Sequence, residues 1–318
     1  MSYQGFDTDR QTAVRPNLFV VGAMKAGTTT LHRLLSGHPD VFMSPVKEPN
    51  FFADPEFRKQ PTAKEKARFA AYLSSQQRKV LHSAPVASSD EYVALFRDGY
   101  GRRYLGEASP SYLHSIESPE RIAKFNSDAR ILVILREPIE RAYSHYRMDV
   151  TIGRRNIPFE EAVQRELDGE QIGSGKGYLA MSRYAEALER WHEAFPRNQI
   201  MVMTYSELFL PTGAGLAVLA HFLQLDHAPF GGVNERHNRT KAPRFARLNY
   251  LLQRSGAKHL LREFLPESLK EAGKRRFYSE SRGNGIPDGV REHLSDYFAP
   301  DILASETLLG RDLFVSKG

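Results

Sequence analysis

The stretch Asn17-Leu-Phe-Val-Val-Gly-Ala-Met-Lys-Ala-Gly-Thr-Thr-Thr-Leu31 narrows the possible folds more than any other part of this chain. Leu18 to Val21 form the short, β-prone apolar run of a buried strand, Gly22 breaks it, and Leu31, Leu34 and Leu35 recur at helical spacing. Strand, glycine-bounded loop and helix start follow one another directly. A helix beginning there points free N–H groups and the positive end of its dipole at whatever the loop holds, which favours an anion.

The cation of that loop is displaced from the place where a nucleotide kinase carries it. A Walker A loop reads G-x-x-x-x-G-K-[ST]; Gly22 and Gly27 supply its glycines, but Thr28 fills the lysine position and the lysine lies inside the loop, at Lys25. Lys25, Ala26, Gly27, Thr28, Thr29 and Thr30 are therefore expected to cradle a phosphate group, with Lys25 reaching its bridging side.

A second signal lies in Ala129-Arg-Ile-Leu-Val-Ile-Leu-Arg-Glu-Pro-Ile-Glu-Arg-Ala-Tyr-Ser-His-Tyr-Arg147. Ile131 to Leu135 is continuously apolar, as a parallel strand buried on both faces requires. Arg136 ends it, and Pro138 suits the first turn of the following helix. A Walker B strand would end in an aspartate that holds magnesium; an arginine at that place suits direct binding of a phosphate.

Elsewhere strands and helices alternate. Val41 to Met43 and Tyr104 onward read as strands, Thr62 to Gln77, Ser88 to Phe96, Phe159 to Leu167 and Tyr184 to Phe195 as helices, and Gln199 to Thr204 as a buried strand before a helix over Leu216 to Leu223. Val290 to Phe298 and Ile302 to Leu309 read as a final amphipathic pair. The pattern predicts an α/β, three-layer P-loop-type fold: a central, mostly parallel sheet flanked by helices, with a helical C-terminal extension. At 318 residues and 41% hydrophobic content the chain can bury one large core, so a single domain over 1–318 is expected, with residues 1–16 as a poorly ordered tail.

Several classes of function are set aside by composition. With no cysteine, the chain has no disulfide, no cysteine-ligated metal and no cysteine nucleophile. No run of about 18 apolar residues occurs and the polar start has no signal-peptide core, so a cytoplasmic protein without stable membrane insertion is expected. The net charge of +6 raises nucleic-acid binding. The densest basic patch, from Arg236 to Arg282, is not interleaved with aromatics, and no zinc-finger or RNA-binding signature is present, so no nucleic-acid partner is expected.

Further candidates sit on loops that an α/β sheet would bring to one edge. In Pro45-Val-Lys-Glu-Pro-Asn-Phe-Phe52 the prolines hold Lys47 and Glu48 on a stiff, extended segment, either as a surface ion pair or as a carboxylate aimed at the cleft. Tyr104-Leu-Gly-Glu-Ala-Ser-Pro-Ser-Tyr-Leu113 places Glu107 and Ser109 at a strand end, with His114 just beyond. The glycine-rich Gly169 to Gly177 has the composition of a lid or of a tolerated surface connection. Arg239 and Lys241, in a later basic loop, are candidates to close over a nucleotide.

Two anion sites at one sheet edge suit a nucleotide with phosphates on both its 5′ and 3′ sides. The chain resembles sulfotransferases that use 3′-phosphoadenosine 5′-phosphosulfate (PAPS). Gly22-Ala-Met-Lys-Ala-Gly-Thr-Thr29 is similar to that family's 5′-phosphosulfate loop, and Arg136-Glu-Pro-Ile-Glu-Arg-Ala-Tyr-Ser144 to its 3′-phosphate motif, in which the arginine and the serine bind the phosphate. Lys47-Glu-Pro-Asn-Phe-Phe52 resembles a segment of the heparan-sulfate and bacterial branches whose glutamate is the catalytic base.

The resemblance implies PAPS as co-substrate, 3′,5′-ADP as product, no metal, Lys25 and Glu48 as catalytic residues and Arg136 and Ser144 on the nucleotide, where Lys241 is expected from its place in the basic loop. A hydroxyl-bearing acceptor is expected near Lys47, Glu107, Ser109 or His114, by their places at the same edge. Where heparan-sulfate enzymes place a substrate-binding lysine this chain has Ala108, so a small-molecule or lipid-linked acceptor is expected ahead of a heparan-like one. Glu107 and His114 are rivals of Glu48 for the base; a P-loop small-molecule kinase and a basic nucleic-acid-binding protein are the alternative functions.

Overall fold

The computed structural model describes residues 15–58, 60–76, 78–173, 175–210, 213–226, 230, 241–243, 250–251, 254–255, 278–280 and 285–314. The tail expected over 1–16 therefore lies outside the described residues except for its last two, as does most of the basic stretch from Arg236 to Arg282, Arg239 included. By their contacts the residues form two compact units, Met1–Arg136 with Tyr184–Glu235 and Ser305–Gly318, and Glu137–Arg183 with Arg236–Ala304.

The first unit is built on a five-stranded parallel sheet. Its strands are β1 (Leu18–Gly22), β2 (Val41–Met43), β5 (Tyr104–Ala108), β6 (Arg130–Leu135) and β7 (Ile200–Thr204), in the order β2-β5-β1-β6-β7. All of β1 and β5 is buried, and so is β6 beyond Arg130, because helices cover both faces of a parallel sheet. The chain leaves β1 for one side of the sheet and returns to its other side, so β1 lies at the switch point whose carboxyl edge opens a crevice.

The helices α1 (Thr28–Ser36), α2 (Ala63–Ser74), α3 (Ser89–Ala94), α4 (Ser118–Phe125), α7 (Ala185–Ala194), α8 (Tyr205–Leu208) and α9 (Ala214–Leu223) belong to the same unit. Helix α2 is shorter than the run Thr62 to Gln77 predicts: Thr62 and Glu65 form a capping box that fixes its start, and Ser75 turns extended at its end. A second small sheet pairs β3 (Val46–Glu48) in parallel with β4 (Leu81–Ser83). The segment expected to be an extended loop is thus a strand.

The second unit holds α5 (Pro138–Ile152), α6 (Phe159–Leu167) and the antiparallel pair β8 (Lys241–Pro243) and β9 (Tyr278–Glu280). Glu137 caps α5 by accepting the N–H groups of Ile139 and Glu140 at 3.0 and 2.8 Å, and Pro138 opens its first turn. Ile139, Ala142, Phe159 and Tyr178 pack with Val290, Leu294 and Phe298 of α10 (Asp288–Leu309).

Helix α10 corrects the expectation of two terminal helices. It runs on through Pro300 because a proline forgoes one backbone hydrogen bond without ending a helix whose buried face continues, here with Phe298 before it and Asp301 and Ser305 after it.

Candidate active site

The loop after β1 is shaped by close approach. A Cβ on Gly22 would lie 2.5 Å from Leu113 Cβ, and the Ala23 N–H donates to Ile134 O of the adjacent β6 at 2.6 Å. Lys25 takes a left-handed backbone with φ 71°, and Gly27, at φ 96°, is the N-cap of α1. A side chain on Gly27 would be strained at that φ and would meet Phe209 Cε2 at 2.8 Å. Since Gly27 offers no capping group, the first N–H groups of α1 lack a side-chain acceptor and are open to an anion.

Arg136 stands at the carboxyl end of β6. Its Nη1 lies 3.4 Å from Lys25 O, its guanidinium is 5.8 Å from the Tyr205 ring centroid, and its own carbonyl accepts the Tyr184 hydroxyl at 2.8 Å. The P-loop and the end of β6 therefore share one edge, as their positions after two buried strands led one to expect. Tyr205, which opens α8 directly after β7, was not a sequence candidate. Only its place behind the last apolar residues of a strand marked it.

Glu48 ends β3. Lys47 Nζ donates to its Oε1 at 2.5 Å, and His82 Nε2 of β4 lies 3.6 Å from the same oxygen. Oε2 has no hydrogen bond to the described residues, and the side chain is 25% exposed against 5% for Lys47. The ion pair read from the sequence is present, and it leaves one carboxylate oxygen without a hydrogen bond to the described residues. Beyond it, Phe51 and Phe52 are buried, with Phe52 ringed by Phe19, Tyr92, Tyr112 and Phe125.

Glu107, near the end of β5, is 0% exposed. Its Oε1 accepts the hydroxyls of Tyr92 at 2.7 Å and Tyr112 at 3.0 Å, and its Oε2 that of Ser109 at 2.7 Å. Burial pushes its carboxyl up to about 7, against the pull of the three donors. Glu107, expected near the acceptor, is thus closed off from solvent and filled by three hydroxyls, and Ser109, expected beside it, is buried with its hydroxyl on that carboxylate.

Of the remaining candidates, His114 is buried with its ring 6.4 Å from that of Tyr184, and Thr28 is buried while Thr29 and Thr30 are half-buried at the start of α1. Ser144 is half-buried on α5 of the second unit. Lys241 lies in β8, also of the second unit. Within Gly169 to Gly177, all four of Gly169, Gly173, Gly175 and Gly177 have positive φ, and Glu166 accepts the following N–H groups of Tyr178, Leu179 and Ala180 at 2.7, 2.8 and 3.0 Å. Among the described residues no helix is long and apolar enough to cross a membrane.

Comparison with known proteins bears on this site. A family model described as "Sulfotransferase family" matches residues 16–229, which hold β1 through β7 and both anion-site signals. Mouse heparan sulfate glucosamine 3-O-sulfotransferase 3B1 is 25% identical over 305 residues, covering 93% of this chain and 64% of its own length. The mouse bifunctional heparan sulfate N-deacetylase/N-sulfotransferase 2 is 26% identical over 311 residues, 93% of this chain and 30% of its own. The chain thus spans less than two thirds of the length of either relative. The crystal structure of a sulfotransferase from Alicyclobacillus acidocaldarius superimposes with a TM-score of 0.64 at 27% identity, covering 94% of this chain and 97% of that one.

Proposed function

The chain belongs to the sulfotransferase family, and on that premise we propose that it transfers a sulfuryl group from PAPS to a hydroxyl of a small-molecule, carbohydrate or lipid acceptor. Transfer is in line and needs no metal. The acceptor oxygen forms a bond to sulfur as the bond between sulfur and the phosphate oxygen of PAPS breaks. The acceptor's proton goes to Glu48, and the electron pair of the broken bond stays on 3′,5′-ADP.

Each requirement has a residue suited to it. Glu48 has a partly exposed side chain with one oxygen that makes no hydrogen bond to the described residues, which suits a general base. Lys25 and the first N–H groups of α1 stabilise the charge that grows on the leaving phosphate. Arg136 takes the 3′-phosphate, and the sequence motif adds Ser144. Lys25 and Arg136 together neutralise charge where a kinase uses magnesium held by an aspartate.

The observation that carries this reading is the 3.4 Å approach of Arg136 Nη1 to Lys25 O, which sets two anion-binding groups on neighbouring strand ends. A ligand with phosphates on both its 5′ and 3′ sides would use both. The heparan sulfate acceptors named for the curated relatives are not carried over, because Ala108 stands where the resemblance to the heparan-sulfate branch leads one to expect a substrate-binding lysine.

Isothermal titration with 3′,5′-ADP, with ATP plus magnesium, and with an oligonucleotide tests the reading. Binding of 3′,5′-ADP without a metal is the expected result. Binding of ATP only with magnesium and none of 3′,5′-ADP would place the chain among the kinases in its chemistry, and binding of the oligonucleotide alone would favour the nucleic-acid reading. A screen of sulfate transfer from labelled PAPS to a panel of hydroxyl compounds then identifies the acceptor.

A further inference from the structure

Behind the strand end that carries Glu48 lies a carboxylate that solvent does not reach. Glu107 accepts hydroxyl hydrogens from Tyr92, Tyr112 and Ser109. A hydroxyl has one hydrogen to give, so Ser109 and Tyr112, having given theirs to Glu107, can only accept on their other side. There they receive backbone N–H groups of the segment after Glu48: Asn50 N donates to Ser109 Oγ at 3.1 Å, and Phe52 N donates to the Tyr112 hydroxyl at 3.2 Å.

Asn50 passes this constraint on. Its backbone is left-handed, with φ 51°, its Nδ2 donates to Glu48 O at 3.3 Å, and its Oδ1 accepts the Ser111 hydroxyl at 2.7 Å. The turn after β5 thus grips the segment after β3 through two relayed hydrogen bonds and one direct one. The direction of both relays is set at a single point, the buried carboxylate.

We propose that Glu107 is a positioning residue for the reaction: acting through the Ser109 and Tyr112 hydroxyls, it fixes the backbone of Asn50 and Phe52 and thereby the placement of the Glu48 carboxylate. The inference rests on the reading of Glu48 as the base. The ionised carboxylate offers acceptors alone, and its amide does not. In a glutamine one of the two oxygens becomes a donor, and wherever that donor points it faces Ser109 or the two tyrosines. The hydroxyl it meets must turn its hydrogen away from residue 107, and for Ser109 or Tyr112 that hydrogen loses its buried acceptor and the hydroxyl its fixed direction toward the backbone N–H.

The test is a double-mutant cycle on the full chain with an acceptor from the panel screen. Glu107→Gln is expected to lower kcat about 10- to 100-fold, the scale of a base displaced by a fraction of an ångström to an ångström. The Kd for 3′,5′-ADP and the KM for PAPS should stay within about twofold, since the nucleotide loop is not part of the relay. In a Glu48→Gln background the same change is expected to cost no further rate, because no carboxylate is left to place.

Unchanged kcat in Glu107→Gln, or an equal loss in both backgrounds, overturns the positioning role while the base reading stands on the inactivity of Glu48→Gln. Full turnover in Glu48→Gln overturns the base reading itself, and this inference with it. If Glu107→Gln does not fold, as circular dichroism and the melting temperature will show, Ser109→Ala takes its place with the same measurements and the same outcomes. It removes one relay and leaves the carboxylate and the other.

Discussion

Arg136 Nη1 reaches to 3.4 Å from the backbone oxygen of Lys25, so the ends of the adjacent parallel strands β6 and β1 are joined at the edge of the sheet. The guanidinium carbon also lies 5.8 Å from the centroid of the Tyr205 ring at the end of β7. Three strand ends therefore fix one cation, and a rigid guanidinium loses little freedom on binding an anion.

Arg136→Ala is expected to weaken 3′,5′-ADP about 10- to 100-fold, the scale of a lost charge-assisted hydrogen bond or two. The affinity for 5′-AMP, which has no 3′-phosphate, should change by less than about threefold. Titration of both nucleotides against both proteins reads this directly. Equal losses for the two would move Arg136 to the 5′ side.

Removing the loop cation acts on the rate. Lys25→Ala is expected to lower kcat by about 10²- to 10³-fold, as for loss of one group that stabilises charge in the transition state. Single-turnover transfer of labelled sulfate is the measurement, and a change confined to KM would assign Lys25 to ground-state binding alone.

Gly27→Ala tests the loop's shape. The residue would have to adopt φ 96° and push its Cβ into the Phe209 ring at 2.8 Å, so a loss of about 1 to 3 kcal/mol in stability is expected together with weaker 3′,5′-ADP binding. Urea denaturation with and without the nucleotide measures both, and an unaltered midpoint would show that the loop accommodates a side chain.

The buried Glu107 predicts a pH dependence of unusual sign. Its folded carboxyl is raised to about 7 from an ordinary 4.5, so the folded chain holds this proton longer than the unfolded one. The contribution is fully present below pH 4.5 and is lost as pH rises through about 7; the whole swing is about 3 kcal/mol. His32, lowered by burial to about 4, acts in the opposite sense, its share being lost as pH falls from 6.5 to about 4. It is common to wild type and Glu107→Gln, so the difference between their urea stabilities at pH 5 and pH 8 isolates Glu107. Parallel pH curves for the two proteins would contradict the raised carboxyl.

The second unit shows how far local pattern carries. Phe159 to Leu167 was readable as a helix to the residue, because its apolar face and flanking prolines and glycines are all local. Val290 to Phe298 and Ile302 to Leu309 read as two helices because Pro300 is a local break signal, and the continuous α10 forms where burial on both sides of the proline outweighs it.

What the sequence determined by itself is the sheet edge at which an anion site is proposed. A run of apolar residues closed by Gly22 and another closed by Arg136 can only be buried parallel strands, and the residues that end such strands stand where the sheet opens. The tertiary structure decided what lies behind and beside that edge. It paired β3 with β4, laid Tyr205 against Arg136, and turned Glu107 inward onto hydroxyls from α3 and from the turn after β5. The pairing of β3 with β4 and the approach of Tyr205 to Arg136 join segments far apart in the chain, while Glu107 finds its hydroxyls 2, 5 and 15 residues away, and no periodicity encodes any of them. They follow from which side chains the packed sheet leaves facing one another, and from the need to satisfy every polar group shut away from water.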